Sequence, residues 1–412
     1  MTTQTHPENA KVVIIGGGIF GCAIAYYYTR NHPGKKIIVL ERNELCNAAT
    51  SRAAALMTII RSKRSYIPLS LETYSAVAEM ERQLGESLGI KRVGMMHVAA
   101  SENNVKELVD LMAIADEWGQ PWQYISNQEA HKKAPWLKTD EALRIGYLPD
   151  ESYCDPYLLG TFFARCAKLQ GADLRQGVEA KQLVMDKGTV AGVVTSNGTI
   201  YADKIIIAAG AWAPIFARQA GIGLPMAPVR SQYWITEKAN IFPEDSPMVL
   251  LPDAQAYARP EGGNLLFGIR ETHSFSTSPE NIPSDVSEFS FSSDKGMTDL
   301  SEVIDRLGRF FPAIYDIGLQ YYVAGFSGYT PDGYLSMGVA PCVQNLLLAT
   351  GCVGAGIAVA GGVGRAFAEV EADRRNPYDF SDFDIQRFGK IDPFGQDWLQ
   401  KCAMARSRKV SG

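Results

Sequence analysis

Lys11 to Arg42 reads KVVIIGGGIFGCAIAYYYTRNHPGKKIIVLER, and this stretch decides the fold. Val12-Val13-Ile14-Ile15 is the apolar run expected of a strand buried on both faces. Gly16-x-Gly18-x-x-Gly21 follows, then an apolar helix through Tyr28, then a second run, Ile37-Ile38-Val39-Leu40, closed by Glu41. Strand, glycine turn, helix, strand and acid in that order form a dinucleotide-binding βαβ unit. Gly16 permits the tight turn, Gly18 lets backbone approach a pyrophosphate, and Gly21 lets helix sit close on strand. The helix N-terminus offers its first N–H groups to phosphate. Glu41 stands 20 residues past Gly21, where a carboxylate accepts from ribose hydroxyls and disfavours a 2′-phosphate. FAD or NAD is therefore expected rather than NADP.

The rest of the composition fits an enzyme that handles small molecules. A chain of 412 residues predicts two domains, or one carrying a large insertion. With 21% charged residues and a net charge of −5, no nucleic acid or other polyanion is called for. The basic stretch Lys401 to Lys409 reads as a solvated tail. Met1 to Ala10 is polar, so no secretory leader is expected. The seven cysteines are scattered without CxxC pairing, which suggests reduced thiols and a cytoplasmic setting. The five histidines, from His6 to His273, lack ligand spacing, and no metal site is expected.

Leu346 to Gly364, LLLATGCVGAGIAVAGGVG, is long and apolar enough to suggest a membrane span. Its glycines suit an isolated helix poorly. It reads better as a strand, Leu346–Ala349, a glycine-rich turn, and a helix from about Ile357 to Ala372. Elsewhere Met57 to Glu86 reads as mainly helical, Gly94 to Ala100 as a strand, and Glu102 to Trp118 as a helix. Asp155-Pro156 opens a helix to Gln170, an N-cap followed by Pro at the first helical position. Asp173 to Ala209 and Val229 to Phe267 are strand-rich, and a helix is expected near Asp299–Phe311. No repeat or low-complexity linker is visible, so the domains are expected to interleave.

Further motifs accumulate in order: Ala49-Thr50-Ser51-Arg52, Thr58-Ile-Ile-Arg61-Ser62, Lys204 to Trp212, Pro228-Val-Arg-Ser-Gln232, Tyr257-Ala-Arg259-Pro, Thr330-Pro-Asp-Gly333, Ala349-Thr-Gly351, and the closing Pro377 to Phe388. Together with the opening glycine turn, the chain from Lys11 to Phe388 resembles the amine and amino-acid oxidoreductase family that includes glycine oxidase, D-amino acid oxidase and sarcosine oxidase. Each motif is modestly specific. Their order is specific for the family, and much less so for the substrate.

The resemblance implies bound FAD. Its adenosine half would use Gly16, Gly18, Ile19, Phe20, Gly21, Glu41, Arg42 and the backbone of Val178, with Ala209 and Gly210 passing over it. Ser51 and Arg52 would lie near the pyrophosphate or the ring. Gly351, Val353, Gly354, Ala355, Gly356 and Ile357 would run under the isoalloxazine, with a helix N-terminus aimed at the charge of the reduced ring. Relatives that tether the flavin use a Cys before the TPD motif or a His where this chain has Arg52. Val323 to Tyr329 holds no Cys, so non-covalent FAD is expected.

The chemistry implied is hydride removal from the carbon next to an amine, giving an imine that hydrolyses. Arg61 is the first candidate for holding a substrate carboxylate, since a guanidinium pairs bidentately with it. The alternative is a surface pair, because Lys63 and Arg64 continue a basic run. Tyr257, Arg259 and Arg270, on the sheet over the flavin, are further candidates; each type is more often structural. Ser327 and Ala358 replace basic residues that relatives place around the substrate. Leu266 stands where sarcosine oxidase has a lysine that promotes reaction with oxygen. A dehydrogenase passing electrons to a carrier or partner subunit is thus favoured over an oxidase. Two other readings stay open: a flavoprotein acting on a larger amine in biosynthesis, and an FAD-binding subunit without turnover.

The expected architecture is α/β, of two domains. Residues 9–91, 148–224 and 323–390 would form a discontinuous Rossmann-like FAD domain. Residues 92–147 and 225–322 would form a mostly antiparallel sheet roofing the flavin, and 391–412 a C-terminal tail.

Overall fold

The computed structural model describes residues 8–285, 291–371 and 378–409. His6, the expected helix end at Ala372 and the Pro377 start of the closing motif lie outside the described residues.

The first sheet is built on parallel strands in the order Leu346–Thr350, Gly198–Ile207, Glu8–Ile15, Ile37–Leu40, Asp173–Arg175. Ser336–Val339 adds an antiparallel edge, and a meander, Ala180–Asp186 and Thr189–Thr195, extends from Gly198–Ile207. In register, Ile15 lies beside both Leu40 and Ile207, so the carboxyl ends of these strands finish level. Val12 and Ile14 pack on one layer of helices and Val13 and Ile15 on the opposite core, which is why the run is continuously apolar.

The helix after the glycine turn, Ile19–Asn31, is buried from Ile19 through Thr29. A Cβ at Gly21 would lie 1.9 Å from the Gly16 carbonyl oxygen, so only glycine lets this helix leave the strand so steeply. The helix is flanked by Gly356–Glu371 and Pro156–Leu169. The latter opens as expected: the Asp155 carboxylate accepts the Leu158 N–H at 2.9 Å, with Pro156 behind it.

The second sheet runs Leu319–Tyr329, Ala227–Thr236, Asn264–Ile269, Ala256–Glu261, Met248–Leu251, Met95–Ala99, Arg144–Leu148, Gln123–Tyr124. Every neighbour pair is antiparallel except Met248–Leu251 with Met95–Ala99. One face carries Trp234, Phe267, Leu265 and Ile269 into a core closed by Phe310 and Phe311. Alternation along each strand sends Tyr257, Arg259, Leu266, Gly268 and Arg270 to the opposite face. The fold is thus the expected mixed α/β arrangement, a parallel nucleotide-type sheet joined to an antiparallel one. The boundary expected at residue 323 falls inside the single strand Leu319–Tyr329.

Several local expectations need correction. Met57 to Glu86 is not mainly helical from its start. Leu56–Met57 pairs antiparallel with Ser152–Tyr153, the chain then stays extended, and the long helix is Ile67–Leu84. The Glu151 carboxylate takes the Ile59 and Ile60 N–H groups, and Pro68 fixes the helix start. The helix near Asp299–Phe311 is two short ones, Ser293–Ser301 and Ile304–Gly308; Pro312, which lacks an N–H, opens the turn that follows. The C-terminal stretch is not a solvated tail. Gln396–Ser407 is a helix whose Trp398, Leu399, Cys402, Ala403 and Arg406 are buried, largely against the strand Ala227–Thr236. Among the described residues, no helix is long and apolar enough to cross a membrane.

Candidate functional site

A long cavity starts at the carboxyl ends of the parallel strands, the place where open α/β sheets receive ligands, and ends under the antiparallel sheet. At its first end Gly16, at φ +107°, donates its N–H to the Leu40 carbonyl at 2.9 Å. A side chain there would strike the Ala208 carbonyl at 2.5 Å, whereas a Cβ at Gly18 would meet only the Thr50 hydroxyl, at 3.5 Å. Gly18 therefore leaves a cradle open to the cavity. The Glu41 carboxylate accepts the N–H groups of Gly17 and Asn43, each at 2.9 Å. These bonds hold it at the cavity wall, with lone pairs left for further donors.

Of the expected cofactor residues, Gly16, Gly18, Ile19, Phe20, Glu41, Arg42, Arg52, Ala209, Gly210, Gly354, Gly356 and Ile357 line this cavity. The others stand behind it. Gly21 serves helix packing. The Ser51 hydroxyl donates back to Asn47 and Ala48 carbonyls at 3.1 and 3.2 Å. Val178 donates its N–H to the Glu41 carbonyl at 2.9 Å, while its neighbours Glu179 and Ala180 reach the wall. Gly351 packs on Ser336, and Val353 and Ala355 spend their N–H groups on Gly328 and Cys352 carbonyls. These three shape the turn from which Gly354, Gly356 and Ile357 face inward. Arg42 lies over the Trp212 ring at 4.2 Å, so this tryptophan is a stacking platform at the wall as well as a packing residue. Thr50, whose hydroxyl accepts the Ile19 N–H at 3.0 Å, belongs to the same end.

At the far end the four substrate candidates separate. Arg61, 5% exposed, lines the cavity with Tyr257 and Arg270. Its Nε–H donates to the Thr58 carbonyl at 3.2 Å, and burial pulls its pKa down against the pull of Glu151. Arg270 stacks over Tyr257 at 5.2 Å, and its buried Nε has no hydrogen-bond partner. Gly268 lies opposite Tyr257, and a Cβ there would come within 2.3 Å of the ring; the missing side chain is what lets the phenol cross. Arg259 is the exception. Its donors go to the Ala54 carbonyl at 2.7 Å, the Pro260 carbonyl at 3.0 Å and the Glu261 carboxylate, and it is not in the cavity wall. It is a structural tie that joins its strand to the segment holding Ala54.

Lys409 was not foreseen. It follows the C-terminal helix, lines the cavity, and donates to the Val353 carbonyl at 2.9 Å. The helical spacing of Trp398, Leu399, Cys402 and Ala403 was the signal that could have found it. Ser327 and Ala358 do line the cavity, whereas Leu266 does not. A second cavity adjoins the first and shares Arg61, Leu250, Tyr329 and Lys409 with it.

A cradle at Gly18, an oriented carboxylate at Glu41, and a second helix start at Gly356 fit a dinucleotide with a ring system at its far end. The family model described as FAD dependent oxidoreductase matches residues 11–370, and the chain belongs to that family, so FAD is its cofactor. It is 25% identical over 391 residues to 4-methylaminobutanoate oxidase (formaldehyde-forming) of Paenarthrobacter nicotinovorans, covering 94% of this chain and 47% of that protein. It is 26% identical over 392 residues to the mitochondrial sarcosine dehydrogenase of Mus musculus, covering 94% and 42%. The chain thus spans less than half the length of these relatives. Among solved structures, L-proline dehydrogenase from P. horikoshii superposes with a TM-score of 0.80 at 24% identity, covering 93% of this chain and 98% of that one. Glycine oxidase from Geobacillus kaustophilus gives 0.77 at 21%, covering 92% and 99%. The shared fold extends over nearly the whole chain.

Proposed function

We propose that the chain oxidises a small amine that carries a carboxylate, an amino acid or N-alkyl amino acid. The observation that supports this most is the pairing of an FAD-type cradle with Arg61 and Arg270 at the far end of the same cavity. Bound FAD supplies an acceptor for the hydride leaving the carbon next to nitrogen. Arg61 and Arg270 pair with the carboxylate and fix which C–H is presented. Tyr257, with Arg270 over one face of its ring and Gly268 against it, closes the wall and limits water. Its phenol keeps its proton, since burial raises the pKa, so it donates rather than abstracts. In this reading FAD is held by Gly16, Gly18, Glu41, Arg52 and the Gly354–Ile357 turn without a covalent bond. Acid precipitation should leave all the yellow colour in the supernatant; a yellow pellet refutes that point.

Leu266 stands where a lysine would promote reaction with oxygen, and its apolar side chain favours an acceptor other than oxygen, either a carrier or a partner subunit. Rapid reoxidation of the reduced protein in air would overturn this. The adjoining cavity beyond Lys409 supports a second reading, in which the amine is larger than an ordinary amino acid.

The deciding experiment is the anaerobic visible spectrum of the FAD-loaded protein before and after amino acids, N-methyl amino acids and larger amines. Bleaching by a carboxylated amine supports the proposal, and bleaching only by larger neutral amines supports the second reading. A flavin that no amine reduces leaves the reading of a subunit without turnover of its own.

A further inference from the structure

Three cations meet at the substrate end of the cavity: Arg61 from the segment before the long helix, Arg270 from the antiparallel sheet, and Lys409 from the C-terminus. They come from parts of the chain far apart in sequence, so their meeting is a property of the fold. Among the described residues, the carboxylates in the same wall, Glu41 and Glu179, belong to the opposite, nucleotide end. Glu151 stands behind Arg61, holding the Ile59 and Ile60 N–H groups. Glu271, next to Arg270 in sequence, is committed to buried Arg406. A monocarboxylate held between Arg61 and Arg270 leaves Lys409 unanswered in a partly desolvated space.

We propose that Lys409 is a specificity residue and that the site selects an amine bearing two carboxylates, such as an N-carboxyalkyl amino acid. The proposal rests on the reading of the cavity as an amine-oxidising site and narrows it. Arg61 and Arg270 take the carboxylate next to the reacting carbon. Lys409 takes the second, on the arm that continues toward the adjoining cavity, whose wall it shares. Its ammonium spends one N–H on the Val353 carbonyl and has two left. Desolvation, and the nearby charges of Arg270, Arg61 and Lys63, hold its pKa well below the usual lysine value; a second carboxylate relieves that repulsion. Arg406 anchors the helix through Glu271, Ser274 and the Ile269 carbonyl, and so sets where Lys409 can reach.

The test is equilibrium binding to the FAD-loaded protein by titration calorimetry, using two probes that cannot be oxidised as amines. (Methylthio)acetate and thiodiacetate both carry sulfur in place of nitrogen, with one and two carboxylates. Thiodiacetate is expected to bind at least tenfold tighter than (methylthio)acetate. In Lys409→Met this ratio should fall to within threefold of unity with FAD content unchanged, and Lys409→Arg should restore it. A ratio near one in the unaltered protein, a ratio that survives Lys409→Met, or no binding of either probe overturns the proposal. Because neither probe turns over, the two readings fail separately. Bleaching by monocarboxylate amines alone keeps amine oxidation and removes the dicarboxylate preference. Tight thiodiacetate binding with no amine able to bleach the flavin does the reverse.

Discussion

Replacing Glu151 by Gln removes a buried titrating group from beneath Arg61. The Glu151 carboxylate is 2% exposed and accepts the N–H groups of Ile59 and Ile60 at 2.7 and 2.9 Å. Burial pushes its pKa from 4.5 to about 7, against the lowering pull of those two N–H groups and of Arg61. Well below pH 4.5 both folded and unfolded chains hold the proton. Between the two values only the folded chain does, so stability falls as pH rises through that window and levels off above it. From pH 5 to 8 this removes roughly 2.5 kcal/mol. Glu151→Gln abolishes the titration and keeps one carbonyl acceptor for the pair of amides. At about 2.1 cal/mol/K per residue, unfolding a chain of this length carries an entropy near 0.9 kcal/mol/K, so the effect is worth about 3 °C. The assay is the thermal midpoint of both proteins at pH 5 and pH 8, at one scan rate and with FAD in equal excess. At pH 5 the variant should sit at or below the parent, because one amide has lost its acceptor. By pH 8 it should have gained about 3 °C on the parent. A difference between the proteins that does not move with pH refutes the reasoning, since it would mean that Glu151 titrates alike in both states.

Gly268→Ala drives a methyl group to within 2.3 Å of the Tyr257 ring. It should slow anaerobic flavin reduction by roughly tenfold or more while FAD stays bound, as expected when a wall of the site shifts; an unchanged rate removes Tyr257 from the site. Glu41→Ala takes away the acceptor of the Gly17 and Asn43 N–H groups, which in the proposed reading also receives the ribose hydroxyls. FAD affinity, read by flavin fluorescence, should weaken by about 1–3 kcal/mol, and an unaltered Kd contradicts the assignment. Arg406→Met leaves Glu271 buried without its closest partner. The expected cost is about 3–5 kcal/mol, visible as faster amide exchange across residues 396–409; Arg408→Met, at an exposed position, should leave that exchange unchanged.

Legibility in the sequence followed the range of the interactions. Lys11 to Arg42 could be read directly because its determinants are local. A buried strand, a glycine turn and a helix all declare themselves within a window shorter than the element spacing. The same held for Leu346 to Ile357, where strand, turn and helix follow one another. Within the mainly helical Met57 to Glu86, the helix is Ile67–Leu84, whereas Thr58–Arg61 is extended because its conformation is set by Glu151, some 90 residues away. Lys409 reads as part of a basic tail because the pair that docks its helix, Arg406 with Glu271, spans 135 residues. A charge run in isolation is usually solvated; here a single buried carboxylate elsewhere in the chain converts it into a packed helix.

The arginines show what a sequence leaves undecided and a structure resolves. Arg259 lies on the strand Ala256–Glu261 and Arg270 directly after its neighbour Asn264–Ile269, and by alternation both fall on the same face of the sheet, so pattern alone gives them equal claims. What separates them is how many donors are already committed. Arg259 has its Nε and one terminal nitrogen bonded to Ala54, Pro260 and Glu261, and a guanidinium held that way offers little to a newcomer. Arg270 keeps a buried Nε without a partner at the cavity wall, a condition that costs stability unless something completes it. Such a donor beside Arg61 and Lys409 is what the proposed carboxylate site requires. That inference depends on counting partners, which no inspection of residue types could supply.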